Sequence, residues 1–191
     1  MKTLRNVITV AVLSAAFAFA QNVLAESAVI GEHTWSCSVS GGNATITGVS
    51  PATGDIAIPA KINGYDVTSI GEYTFWECRD LTRVTIPDSV TSIGYAAFAS
   101  CSGLASVTIP GRVTRLDDYA FWDCGSMTNI TFKGNAPTVG ESAFHGISKD
   151  CLVQLPPGNK TYFICIAGIA NADGTMIEVS RQWSGLNIKQ N

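Results

Sequence analysis

Phe75, Phe98, Phe121 and Phe144 stand 23 residues apart, and Cys78, Cys101 and Cys124 keep the same step. Around them the segment VTSIGEYTFWECRDLTRVTIPDS, which begins at residue 67, returns as VTSIGYAAFASCSGLASVTIPGR and as VTRLDDYAFWDCGSMTNITFKGN. A fourth copy breaks off at APTVGESAF. A unit this small does not bury its own apolar face, so a constant period requires the units to stack around a shared interior. The chain is expected to form a solenoid, with its repeats in residues 67–146 and its phenylalanine rings as vertical neighbours.

Each unit divides into parts. Val84, Thr85 and Ile86 alternate apolar and polar, which turns Val84 and Ile86 inward and Thr85 outward, as in residues 107–109 and 130–132. Pro87 and Pro110 follow and end ladder pairing, because proline has no N–H. Val90 and Ile93 continue the apolar set. Gly71, Gly94 and Gly140 then share one position, where positive φ is expected, with Asp117 as the tolerated substitute in the third copy. The stretch AFASC at 97–101 predicts one helical turn placing Phe98 and Cys101 on one inner face.

The run LTRVTIPDSVTSIGYAAFASC, residues 81–101, sets leucine, Ile-Pro, glycine, Ala-Phe and cysteine in a fixed order. In this it resembles the BspA-type leucine-rich repeats of bacterial and protist surface proteins, closely over residues 67–144 and more loosely over 46–66. The resemblance implies a leucine-rich-repeat fold and a role in adhesion or protein binding; it implies no reaction. The expected fold class is a leucine-rich-repeat-like solenoid, β-rich with short helical turns, 23-residue repeats and β-hairpin-like caps at both ends. Phe132-Lys133 replaces Ile-Pro and Ile147 falls where cysteine is due, so the stack is expected to end there.

The flanks read differently. Lys2 and Arg5 precede an apolar run at 7–20, and Val23-Leu24-Ala25 offers a cleavage site, so residues 1–25 have the pattern of a secretory signal peptide; a cut after Ala20 is the alternative. Residues 26–66 read as an N-terminal cap, with strands at 34–39 and 44–47 about the turn Gly41-Gly42-Asn43. Residues 55–59 resemble a repeat strand displaced by extra residues at 61–65. Residues 147–191 keep no period and read as a C-terminal cap, with strands at 152–155 and 162–166. The mature chain is expected to be secreted, periplasmic or at the cell surface, with no transmembrane segment.

Removing Lys2 and Arg5 moves the net charge from −3 to −5, which argues against a nucleic-acid partner. Six cysteines in an exported chain invite disulfides. Yet Cys78, Cys101 and Cys124 occupy one place in successive coils, where three equivalents do not all pair, and they read as a ladder of buried thiols. Cys151 and Cys165 either close a bridge or stay reduced, and Cys37 is left single. Without a CxxC motif, and with His33 and His145 far apart, no metal or other cofactor is expected.

Two groups of residues are candidates for binding. Arg83, Ser106 and Asn129 form one outward row and Thr85, Thr108 and Thr131 another, although threonine is in any case a good residue for a half-exposed strand. Trp76 and Trp122 share a position just after the core phenylalanine, with Glu77 and Asp123 following; packing against the next coil is the plainer role, protein or sugar recognition the functional one. The adjacent carboxylates Asp117 and Asp118 are expected to diverge. No nucleophile–base pair can be named. The sequence therefore reads as a non-enzymatic binding or adhesion protein for a protein or glycan, or else as a passive part of a surface assembly.

Overall fold

The computed structural model describes residues 24–135, 137–149, 151–154 and 156. Within them the chain forms strands only. β1 (Leu24–Ile30), β2 (His33–Ser40) and β3 (Asn43–Ser50) make an antiparallel meander, with Gly31, Gly41 and Gly42 supplying positive φ at its two turns. The expected hairpin is thus present as β2 and β3, and β1 adds an edge strand that was not foreseen.

Ten strands follow: β4 (Gly54–Ala57), β5 (Lys61–Ile62), β6 (Tyr65–Ile70), β7 (Leu81–Thr85), β8 (Ser92–Ile93), β9 (Ser106–Ile109), β10 (Arg115–Leu116), β11 (Asn129–Phe132), β12 (Thr138–Val139) and β13 (Leu152–Gln154). β3 pairs in parallel with β6, and the order β6-β8-β10-β12 continues that sheet down the stack. A second parallel sheet runs β4-β7-β9-β11-β13. The displaced strand is β4, in register with β7 through Ile56 and Val84. The extra residues form a small hairpin, β5 to β6, turning at Asn63 and Gly64 with positive φ at both.

The third side of each coil is where expectation and structure part. No helical turn forms at 97–101 or at its equivalents among the described residues. The N–H groups alternate instead. Those of Tyr73, Phe75 and Glu77 donate to the carbonyls of Tyr95, Ala97 and Ala99 in the next coil, at 3.0, 2.8 and 2.9 Å. Those of Trp76 and Cys78 close onto Tyr73 and Phe75 within their own coil, both at 3.1 Å. A helix directs every N–H along its own chain, so sending every second one to the neighbour excludes it. Consecutive β-turns result, with left-handed residues at Tyr73 and Glu77, Ala96 and Ser100, Tyr119 and Asp123, and Ser142 and Gly146.

Positive φ therefore falls at these places and not at Gly71, Gly94, Gly140 or Asp117. The three glycines answer a different constraint. A Cβ on Gly71 would lie 2.8 Å from the Ile46 carbonyl oxygen, one on Gly94 3.0 Å from the Glu72 nitrogen, and one on Gly140 2.3 Å from the Asp118 nitrogen. Backbone passes over backbone there, leaving no room for a side chain.

Between the sheets and the turns lies one continuous core. Phe75, Phe98, Phe121 and Phe144 are essentially inaccessible to solvent and stack face to face, with centroids 4.7, 5.0 and 5.3 Å apart and ring planes within 10°. Burying each ring contributes about 1.5–3 kcal/mol. At the N-terminal end Trp35 meets Phe75 edge-on, 6.5 Å away at 71°. The cap is tied down again by Thr74, whose hydroxyl lies within hydrogen-bond reach of the carbonyls of Ile46 and Gly71, at 3.0 and 2.9 Å.

The thiol ladder is built on the same column. Cys101 Sγ donates to the Phe75 carbonyl at 3.0 Å and Cys124 Sγ to that of Phe98 at 3.2 Å. Burial pushes the Cys101 thiol far above its usual value and the Cys124 thiol up to about 12. Cys78 departs from the expectation in being only partly buried. Cys37, Cys78, Cys101, Cys124 and Cys151 are all free thiols; Cys165 and the strand expected at 162–166 lie outside the described residues.

The stack does not end at Ile147. β13 pairs in parallel with β11, Leu152 opposite Asn129 and Val153 opposite Ile130, a further step of 23. Val153 is buried as Ile130 is. The reading that residues beyond 146 keep no period is thus corrected for this rung: the residue types change, while the inward–outward order persists.

Candidate functional site

The strand register settles where the outward residues go. Asp55, Arg83, Ser106, Asn129 and Leu152 are successive partners across β4, β7, β9, β11 and β13. Thr108, Thr131 and Gln154 continue the next row, which Ala57 and Thr85 open. Six of the eight candidate residues therefore share one sheet face. Arg83, Thr85 and Thr108 are exposed, whereas Ser106, Asn129 and Thr131 are half-buried. The hydroxyl of Thr131 donates to Gln154 Oε1 at 3.3 Å, and that of Thr82 to Asp55 Oδ1 at 2.7 Å. Among the described residues Arg83 enters no ion pair. The face is largely polar and built mostly from short side chains, with Arg83 near its upper edge outside any ion pair among the described residues.

Trp76 and Trp122 lie elsewhere, on the turn side of the coils. They do not pack away against the neighbouring coil: Trp76 is 53% exposed and Trp122 36%. Ala99, at the equivalent position between them, is buried to 3%. Beside them runs a second aromatic series that the sequence reading missed. Tyr73 meets Trp76 at 6.1 Å and Tyr95 at 5.3 Å, and Tyr95 meets Tyr119 at 5.6 Å, all edge to face. The intervals of 22 and 24 residues break the 23-residue step, so a search for equal spacing passes over them. Desolvation, and then the neighbouring Tyr95 hydroxyl, push the Tyr73 phenol above its usual value.

The carboxylates of this side are distributed rather than paired. Asp117 bonds the Arg115 guanidinium, and Asp118 accepts the Glu141 backbone N–H at 2.7 Å, so the two adjacent acids diverge as expected. Glu77 lies 3.9 Å from Arg79 with both side chains in water, a contact worth little. His33 Nδ1 donates to the Pro51 carbonyl at 2.8 Å in the cap, remote in the chain from His145 on the last corner.

Two stacked parallel sheets joined by a ladder of turns, around a column of identical rings, define a leucine-rich-repeat solenoid. The register and the repeat agree on this. Residues 58–163 match the family described as BspA type leucine rich repeat region, in six copies, and the chain belongs to that family. It is similar to a solved leucine-rich repeat protein from Bacteroides capillosus, 31% identical, with a TM-score of 0.56, over 68% of this chain and 97% of that one. It also resembles the leucine rich repeat protein of T. pallidum, 22% identical, with a TM-score of 0.53, over 68% of this chain and 73% of that one; that likeness speaks to the fold alone. Among curated proteins none matches.

Proposed function

We propose that the protein is an exported, non-enzymatic binding protein that holds a protein or glycan ligand against the sheet face of β4, β7, β9, β11 and β13, at the cell surface or after release. The observation that carries this reading is the register: Arg83, Ser106 and Asn129 form one row and Thr85, Thr108 and Thr131 another on a single uninterrupted face. Repeat solenoids commonly bind through such extended surfaces. Membership of a repeat family implying adhesion or protein binding supports it. The signal-like pattern of residues 1–25 supports export.

A panel of immobilised matrix proteins and glycans tests it. Replacing Arg83 and Asn129 by alanine is expected to weaken any ligand found by tenfold or more, and unchanged affinity would remove the sheet face from consideration. A second reading, a passive part of a surface assembly, is favoured by β1. Among the described residues that strand is the outer edge of its sheet, and it exposes Leu24, Val29 and Ile30, to 50, 72 and 38%. Unpaired apolar edges add strands from other chains. Light scattering that shows concentration-dependent association, with no ligand found in the panel, would select it.

A further inference from the structure

The turn side carries something the sheet face lacks: aromatic rings standing in water among carboxylates, with the flanking cations Arg79 and Arg115 engaged by Glu77 and Asp117. Tyr73 is 51% exposed and Trp76 53%, and the ring contacts through Tyr95 to Tyr119 make one ribbon along the solenoid axis. Trp76 and Trp122 are two coils apart, about 10 Å at the spacing of paired strands. The short side chain of the buried Ala99 lies between them. The four corners, residues 71–78, 94–101, 117–124 and 140–147, hold Glu72, Glu77, Asp117, Asp118, Asp123 and Glu141 and neither lysine nor arginine. Glu77 lies against Arg79, Asp117 bonds Arg115 and Asp118 accepts a backbone N–H, as described. Glu72, Asp123 and Glu141 are exposed, and among the described residues their side-chain carboxylates have no hydrogen-bond or ion-pair partner.

We infer that this ribbon docks a cationic, extended segment of a protein partner, laid along the solenoid axis. Two features converge on that chemistry. The faces of indole and phenol rings attract ammonium and guanidinium groups through their quadrupoles, and the carboxylates between the rings supply the counter-charge. An anionic partner meets repulsion from Glu72, Asp123 and Glu141, whose charge no cation offsets among the described residues. A neutral glycan stacks on the rings but leaves the carboxylates uncompensated. An extended polyproline-II segment brings every third side chain to the same side at about 9.3 Å, close to the separation of the two tryptophans. The site is separate from the sheet face, so either surface can fail its test while the other stands.

The probe is a fluorescein-labelled peptide of four Arg-Pro-Pro repeats, titrated with the mature protein and followed by anisotropy. Its Glu-Pro-Pro counterpart and cellohexaose serve as the comparison ligands. The cationic peptide is expected to bind, and to lose at least tenfold in affinity between 50 and 200 mM NaCl, on the order of the salt loss seen where several charges are neutralised together. The double variant Trp76→Ala/Trp122→Ala should lose at least tenfold, and Trp76→Phe/Trp122→Phe should recover most of it. Glu72→Gln with Asp123→Asn should weaken binding severalfold, and Arg83→Ala should change nothing. Thermal melting of each variant checks that the fold is kept, which surface positions allow. Equal binding of the acidic peptide would overturn the proposal. So would cationic binding indifferent to the loss of both indoles, or no cationic binding at all. Indole-dependent binding of cellohexaose alone would assign the ribbon to neutral sugar instead.

Discussion

At the scale of single residues the column of rings sets the stability. Phe98 has a stacked ring on each side, so Phe98→Ala is expected to cost about 3–5 kcal/mol in urea denaturation, and Phe98→Leu distinctly less. The glycines make a sharper case. Gly94→Ala should destabilise by about 1–3 kcal/mol, since its new methyl meets backbone atoms that have nowhere to go. Ser100→Gly should be tolerated or mildly stabilising, because Ser100 already holds a left-handed conformation, which costs a side-chain-bearing residue roughly 1–2 kcal/mol. Reading positive φ into the glycines predicts the reverse order, so thermal melts of the two variants decide between the explanations. The thiols give a pH dependence. Burial raises the Cys101 thiol, and raises those of Cys124 and Cys151 to about 12, so the folded state keeps protons that the unfolded chain releases near pH 9. Stability should hold below about pH 9 and fall as pH rises toward 12, a decline in melting temperature that Cys124→Ala should lessen. Inward residues such as Val84 and Ile86 were legible because alternation exposes them. The left-handed sites were not, because Tyr, Glu, Ala and Ser fill six of the eight and do not announce the conformation, leaving only Asp123 and Gly146 as residues that favour it.

At the scale of elements, the two ends were read unequally. The hairpin of β2 and β3 was visible in its alternation and its glycine turn. β1 was hidden, since its first two residues were assigned to the signal peptide. Leu24 and Ala25 pair with Val39 and Ser38, so a cut after Ala25 would strip two residues from a strand seven long. If the chain is exported as proposed, its intact mass is accordingly expected to show an N-terminus at Gln21, and one at Glu26 would refute this. The corners were misread for a physical reason. Phe98 and Cys101 on one inner face suit a helix and a chain of β-turns equally well, and only the destination of alternate N–H groups tells them apart. β13 escaped notice because three residues are too few to show a period once their identities change.

For the whole molecule, the fixed step is the property with most reach. Removing residues 94–116, one full period, should leave a folded solenoid with a lower melting temperature, whereas removing 20 residues from the same place should abolish cooperative unfolding. Circular dichroism melts of the two deletions are the measurement. The strand-face rows were legible because equal spacing is what places them side by side. The tyrosine series was not, since rings from unequal positions meet only after the chain has coiled. A column of parallel rings has no inherent length, as any flat ring set upon it would lengthen it by one. Trp35, turned across the axis and itself buried beneath the cap, closes the column at its N-terminal end. With that ring lying crosswise and covered, the column has no bare ring face left at its N-terminal end on which another ring could stack.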